Sequence, residues 1–175
     1  MPALPTTHWL TVQPLTAESF APFGQVIECK GHCSFPINGG TCQRYHDLAQ
    51  PQLRAEGRIG MSLFHAQALP WNLPLQVLER HAYTSQAFVP MGQALPMLVV
   101  VAPADVPAYA LQPPHVQAFL SDGQQGINLA PGTWHHPLRT LKEGTWLVVD
   151  RIAPPGSPVD CEEHDIGNWD LVCAR

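Results

Sequence analysis

Charge is scarce in this chain. Charged residues occupy 13% of its 175 positions, about half the share of an ordinary soluble domain. Only two lysines occur, Lys30 and Lys142, and the seven arginines are scattered. With no basic run, the chain has no electrostatic footprint for nucleic acid. No apolar stretch approaches the roughly 20 residues of a membrane-spanning helix. The N-terminus lacks a charged segment followed by an apolar run, so no secretory signal is expected. Cysteine is present in an odd number, five, which argues against a disulfide framework and for free thiols in a reducing, cytoplasmic setting. What the chain does have is 19 prolines and 13 glycines. That composition favours many short connections and an all-β fold.

The length suits one domain, residues 1–175. Residues 1–14 read as a Pro-rich arm or first strand. Thr16 caps a short helix through Phe20, with Glu18 near its positive end. Strands are expected over 25–29, 58–65, 76–83, 86–91, 97–101, 116–120, 126–129 and 146–152. Each is short and ends at Pro, Gly, Asp or Asn, the rhythm of a barrel or sandwich. Residues 154–175, with Pro154, Pro155, Gly156 and Pro158, read as an irregular tail.

Chemistry concentrates in two places. In Glu79-Arg80-His81 the outer residues are two apart, so a strand presents both on one face. If Gln86 opens an antiparallel partner strand, it converges on that pair. In Ala130-Pro131-Gly132-Thr133-Trp134-His135-His136-Pro137 a tight Pro-Gly turn delivers His135. His136 alternates to the other face and reads as structural, and Trp134 as an apolar plug near a barrel mouth. Asp150-Arg151 reads as an internal salt bridge. Cys29-x-x-x-Cys33, with Cys42 and His32 nearby, has a spacing permitted for zinc but no fourth-ligand pair at finger spacing. The acidic run 160–165 reads as a solvated tail or subunit contact.

The pattern resembles the cupin superfamily: Glu79, His81 and Gln86 fall on the ligand positions of its first motif, and His135 on the histidine of its second. Two departures, Glu79 and Gln86, leave metal binding open. The segments Asn38-Gly39-Gly40, Arg44-Tyr45-His46-Asp47, Leu78–His81, Gln86–Met91, Asp122–Asn128, Trp134–Pro137 and Asp150-Arg151 together resemble the ureidoglycolate lyase family, in its order, from about residue 12 to 163. The Cys29–Cys33 insertion departs from it.

The resemblance implies a cupin-type, jelly-roll-like β-barrel with one or two short helices, a homodimer, and cleavage of (S)-ureidoglycolate to glyoxylate and urea. It implies a divalent metal, with nickel first and zinc or manganese as alternatives, and no organic cofactor. That cleavage needs a base for the hydroxyl proton, a cation or donor for the carboxylate and developing oxyanion, and an acid for the urea nitrogen. His81 and His135 are assigned to the metal or, without it, to base and donor roles. Glu79 is a third ligand or the base, and Gln86 a ligand or donor beside them. Arg44 is the expected carboxylate clamp, since a guanidinium meets a carboxylate with two hydrogen bonds. Asn38, Tyr45 and His46 share its loop and could hold the urea group. A ureidoglycolate amidohydrolase releasing ammonia and a non-catalytic small-acid-binding cupin stay open as rivals.

Overall fold

The structure, a computed structural model, describes residues 7–174. In chain order the strands are β1 (His8–Pro14), β2 (Gly24–Ile27), β3 (Ser34–Ile37), β4 (Cys42–Tyr45), β5 (Arg58–Ala66), β6 (Val77–Arg80), β7 (Gln86–Pro90), β8 (Met97–Ala102), β9 (Gln117–Leu120), β10 (Gly126–Leu129), β11 (Trp134–His135), β12 (Arg139–Thr140), β13 (Gly144–Ile152), β14 (Glu162–Asp165) and β15 (Leu171–Ala174). One short helix, α1 (Ala17–Phe20), is capped by Thr16, whose side chain accepts from the Ser19 N–H. Among the described residues no helix is long and apolar enough to cross a membrane.

Two sheets face each other. The larger runs β14-β6-β11-β8-β9-β1-β15, with β12 also on β8; the smaller runs β2-β10-β7-β13-β5. Strand β8 explains the layering. Its Met97, Val99 and Val101 enter an interior cluster between the sheets. Leu98, Val100 and Ala102 enter a second cluster on the outer face of the larger sheet. A strand buried on both faces has no polar side to show, hence its unbroken apolar run. In the interior, Phe20 meets Phe119 edge to face with centroids 5.7 Å apart. Truncating Phe119 to alanine would cost about 3–5 kcal/mol. The architecture is all-β and cupin-type, as the resemblance implied.

Several local expectations need correction. Strands β6 and β7 are not a hairpin. Leu78 of β6 inserts into the outer cluster, whereas Phe88 of β7 inserts into the interior one, so the chain crosses between sheets at residues 81–85. Backbone bonds from Arg54 N–H to the Tyr83 carbonyl and from Ser85 N–H to the Gln52 carbonyl hold the crossing. The expected irregular tail carries β14, antiparallel to β6, and β15, parallel to β1. Its Ile166, Leu171 and Cys173 complete the outer cluster, enough apolar burial to order a segment otherwise rich in acid and proline. Residues 1–6 of the expected arm lie outside the described residues; residues 8–14 form β1.

Gly24 sets the distance between β2 and β10. Its φ is +154°, and a Cβ there would fall 2.0 Å from the Asn128 carbonyl oxygen.

Candidate active site

Strand β6 alternates, with Leu78 in the outer layer and Glu79 turned to the interior. The Arg80 guanidinium covers the Trp134 ring at 4.3 Å and pairs with Glu162 at 2.7 Å. Strand β11 repeats the alternation in two residues: Trp134 faces out, where its Nε1–H donates to the Val106 carbonyl at 2.8 Å, and His135 faces in. Trp134 is therefore not a plug at the barrel mouth; it belongs to the outer layer. Glu79 and His135 occupy directly opposed register positions, and Glu79 Oε1 lies 3.3 Å from His135 Nε2.

His81 follows the end of β6, and its carbonyl accepts from Gly132 N–H at 2.8 Å. That bond ties the Pro131-Gly132 turn, which needs the positive φ of +85° at Gly132, to the Glu79 segment. The His81 and His135 rings then lie 5.4 Å apart. Donor atoms of Glu79, His81 and His135 all fall within 4.8 Å of one another.

The hydrogen bonds fix which imidazole atoms are free. His135 Nδ1 contacts the Thr133 carbonyl at 2.9 Å, and His81 Nδ1 contacts the Asp160 carbonyl. A carbonyl only accepts, so each Nδ1 carries the proton and donates. In the neutral form each Nε2 keeps a lone pair, and both are buried; protonated, His135 Nε2 donates to Glu79 Oε1 at 3.3 Å. Gln86 adds a third buried acceptor atom. Its Nε2 donates to Asp150 Oδ2 at 3.3 Å, leaving Oε1 buried and unpartnered. The cluster is thus rich in acceptors and poor in donors. Burial works against the Glu79 charge, but the contact and charge of His135, then the charge of His81, outweigh it and hold the carboxyl below its usual range. A cation fits the three that converge: two imidazoles held by backbone carbonyls and a carboxylate.

Two cavities open on the cluster. One of about 390 Å³ is lined by Glu79 and Gln86 together with Phe64, Phe88 and Pro137. The other, about 350 Å³, is lined by His81, Asp150 and Arg151 beneath residues 153–161. Cys161 Sγ lies 3.8 Å from Glu79 Oε2. Burial, then the charges of Glu79 and Glu163, push its thiol up to about 11, so it stays protonated at neutral pH.

The structure therefore brings Glu79, His81 and His135 to one interior point, while Gln86, from the opposite sheet, lines a cavity together with Glu79. It does not bring Asn38, Arg44, Tyr45 or His46 there. These lie on the β3–β4 hairpin, which pairs only with itself. Arg44, Asn38 and His46 are exposed, and none of the four lines either cavity. Arg44 makes no ion pair with Asp47, whose carboxylate instead accepts from Gln50 Nε2. The expected Asp150–Arg151 salt bridge is also absent: Asp150 bonds Gln86, while Arg151 Nε donates to the Glu56 carbonyl. Strand alternation sends the two side chains opposite ways, and the same alternation with Trp146 and Val148 marks Asp150 as inward-facing. His136 bonds the Pro137 carbonyl, and burial draws its pKa below the usual imidazole range. Cys29, Cys33 and Cys42 are exposed free thiols and form no metal-ligating group with His32 among the described residues. The run 160–165 is not a free tail, since it supplies β14 and the Asp160 contact to His81.

Fold and site define a class: an all-β barrel protein with a buried histidine–carboxylate cluster open to small-molecule cavities. Comparison with known proteins narrows it. A family model described as ureidoglycolate lyase matches residues 7–172. The ureidoglycolate lyase of Azotobacter vinelandii (strain DJ) is 47% identical over 160 residues, covering 90% of this chain and 92% of that one. The ureidoglycolate lyase of Stutzerimonas stutzeri (strain A1501) is 48% identical over 158 residues, covering 89% and 88%. Among solved structures, a dTDP sugar isomerase from Desulfovibrio desulfuricans G20 overlaps 81% of this chain and 84% of its own, at 20% identity and a TM-score of 0.40. The chain belongs to the ureidoglycolate lyase family.

Proposed function

We propose that this protein is a carbon–nitrogen lyase that cleaves (S)-ureidoglycolate to glyoxylate and urea, working as one domain. The observation that carries the reading is the convergence of Glu79, His81 and His135 on one interior point in a chain that matches the family over nearly its whole length.

The substrate carbon bears a hydroxyl, a carboxylate and a urea nitrogen. The hydroxyl proton leaves as the carbonyl of glyoxylate forms, the carbon–nitrogen bond breaks, and the departing nitrogen takes up a proton. No net proton is needed, so one group can take and return it. Glu79, held ionised beside His135, accepts the hydroxyl proton at Oε2 and passes it to the urea nitrogen. Such a helper is worth about 10²–10⁴-fold in rate. His81 Nε2, His135 Nε2 and Glu79 Oε1 are the residues that would hold a divalent ion, nickel first, with zinc or manganese as alternatives. Bound there, such an ion would lower the pKa of the substrate hydroxyl and offset the developing oxyanion charge. Gln86 Oε1 is available as a further ligand or as the acceptor of a urea N–H.

A homodimer accords with the exposed outer row of β5, where Met61 is 76% and Leu63 64% accessible. A second chain would also give the self-paired hairpin bearing Asn38, Arg44, Tyr45 and His46 a surface to meet. Sedimentation of Met61→Asp tests this: a shift to monomer supports it, and an unchanged species contradicts it. Five cysteines without a disulfide suit a cytoplasmic setting.

The test of the reaction is incubation of purified protein with racemic ureidoglycolate. Urea and glyoxylate in equal amounts, without ammonia, are expected. Ammonia in place of urea would make the protein an amidohydrolase, and tight binding without turnover a small-acid-binding module.

A further inference from the structure

Arg44 leaves the substrate carboxylate without a cation inside one chain, and the cavity on the far side of His81 offers another. At the end of β13 the Arg151 guanidinium is fixed at two points. Its Nε donates to the Glu56 carbonyl at 2.7 Å, and its Cζ lies 5.6 Å from the Tyr83 ring centroid. Its Nη1 is buried and donates to nothing. Asp150, the neighbouring carboxylate, is engaged by Gln86 instead, and no ion pair to Arg151 forms among the described residues. A desolvated guanidinium N–H without an acceptor is costly to keep. It is also the donor best matched to a planar carboxylate.

We propose that Arg151 is the carboxylate-binding residue of this site, an assignment that rests on the reading of Glu79, His81 and His135 given above. Arg151 and His81 both line the cavity of about 350 Å³. His81 Nε2 is likewise buried and unpartnered. A small 2-hydroxy or 2-oxo acid anchored through its carboxylate on Arg151 Nη1 would lie in the cavity that His81 also lines. The ligand class follows: short anions with an oxygen on the adjacent carbon. Urea, which is neutral, makes no use of Arg151.

Product inhibition separates these two halves of the substrate. In Arg151→Gln, kcat/KM for ureidoglycolate should fall by about 10- to 100-fold, the usual worth of one charged hydrogen bond. The inhibition constant of glyoxylate should weaken by a similar factor, and that of urea should keep its wild-type value. Arg151→Lys keeps the charge and loses the planar fork, and should fall between the two for glyoxylate with urea again unaffected. It carries the test if the glutamine variant does not fold. Equal weakening toward glyoxylate and urea would mark Arg151 as a structural residue and overturn the assignment. Wild-type constants in either folded variant would do the same. His81→Ala, assayed alongside, keeps the two readings apart. Lost turnover there with neutral Arg151 variants rejects only the arginine, whereas retained turnover rejects the site itself.

Discussion

Glu79 and His135 face each other across adjacent antiparallel strands, Oε1 to Nε2 at 3.3 Å, with the imidazole proton committed to the Thr133 carbonyl on the opposite nitrogen. Two acceptors at that separation repel unless a proton or cation lies between them. Glu79→Gln keeps volume and removes the charge. Turnover should fall at least about 100-fold while the thermal unfolding midpoint changes little. Steady-state urea release and a melting curve check both; wild-type turnover would remove Glu79 from the reaction.

The acceptor-rich cluster should take up about one divalent ion per chain. Elemental analysis after growth with nickel, zinc and manganese, before and after dialysis against chelator, measures it. Both His81→Ala and His135→Ala should lower the stoichiometry. Equal metal content in wild type and variants would place the metal elsewhere.

The thiols should divide in two. Cys29, Cys33 and Cys42 are exposed and should react with a disulfide reagent within minutes near pH 8. The thiol of Cys173, 1% accessible, is pushed up to about 11 by burial, partly offset by Arg139, and that of Cys161 also to about 11. Both should label slowly. The linkage follows from the direction: a thiol pKa higher in the folded state favours folding below about pH 9 and loses that contribution as pH rises toward 11. The melting temperature should therefore drop over that window, and less so in Cys173→Ala.

Gly24→Ala should destabilise the protein by on the order of 3 kcal/mol, because the new Cβ meets the Asn128 backbone oxygen at 2.0 Å and φ is +154°. Gly31→Ala, with φ of +79° but nothing within 4 Å, should cost only about 1 kcal/mol. Denaturant unfolding of the two distinguishes close approach from backbone conformation alone; equal losses would contradict the tight β2–β10 contact.

Much of the fold was legible where one strand carried a clear signal. Met97–Ala102 and Gly144–Ile152 announce themselves through β-branched runs, and Thr16 through its capping position. Two-residue strands such as Trp134–His135 and Arg139–Thr140 have too few positions to show a period. Glu162–Asp165 is acidic because it lies at a sheet edge facing water, so its pairing leaves no apolar trace. At the site, the types and order of Glu79, His81, Gln86 and His135 could be read along the chain. That Gln86 approaches from the opposite sheet could not, since spacing of seven residues from Glu79 is equally compatible with a hairpin. Arg44 was attractive by chemistry alone; only tertiary structure reveals that its hairpin pairs with itself.

The most direct measurement is urea and glyoxylate release from ureidoglycolate by wild type beside folded His81→Ala and His135→Ala. Equimolar urea and glyoxylate from the wild type, with at least a 100-fold loss in each variant, is the expected outcome, on the order of a lost proton-transfer or metal-holding group. Turnover at the wild-type rate in both variants would mean that the reaction does not occur at this cluster.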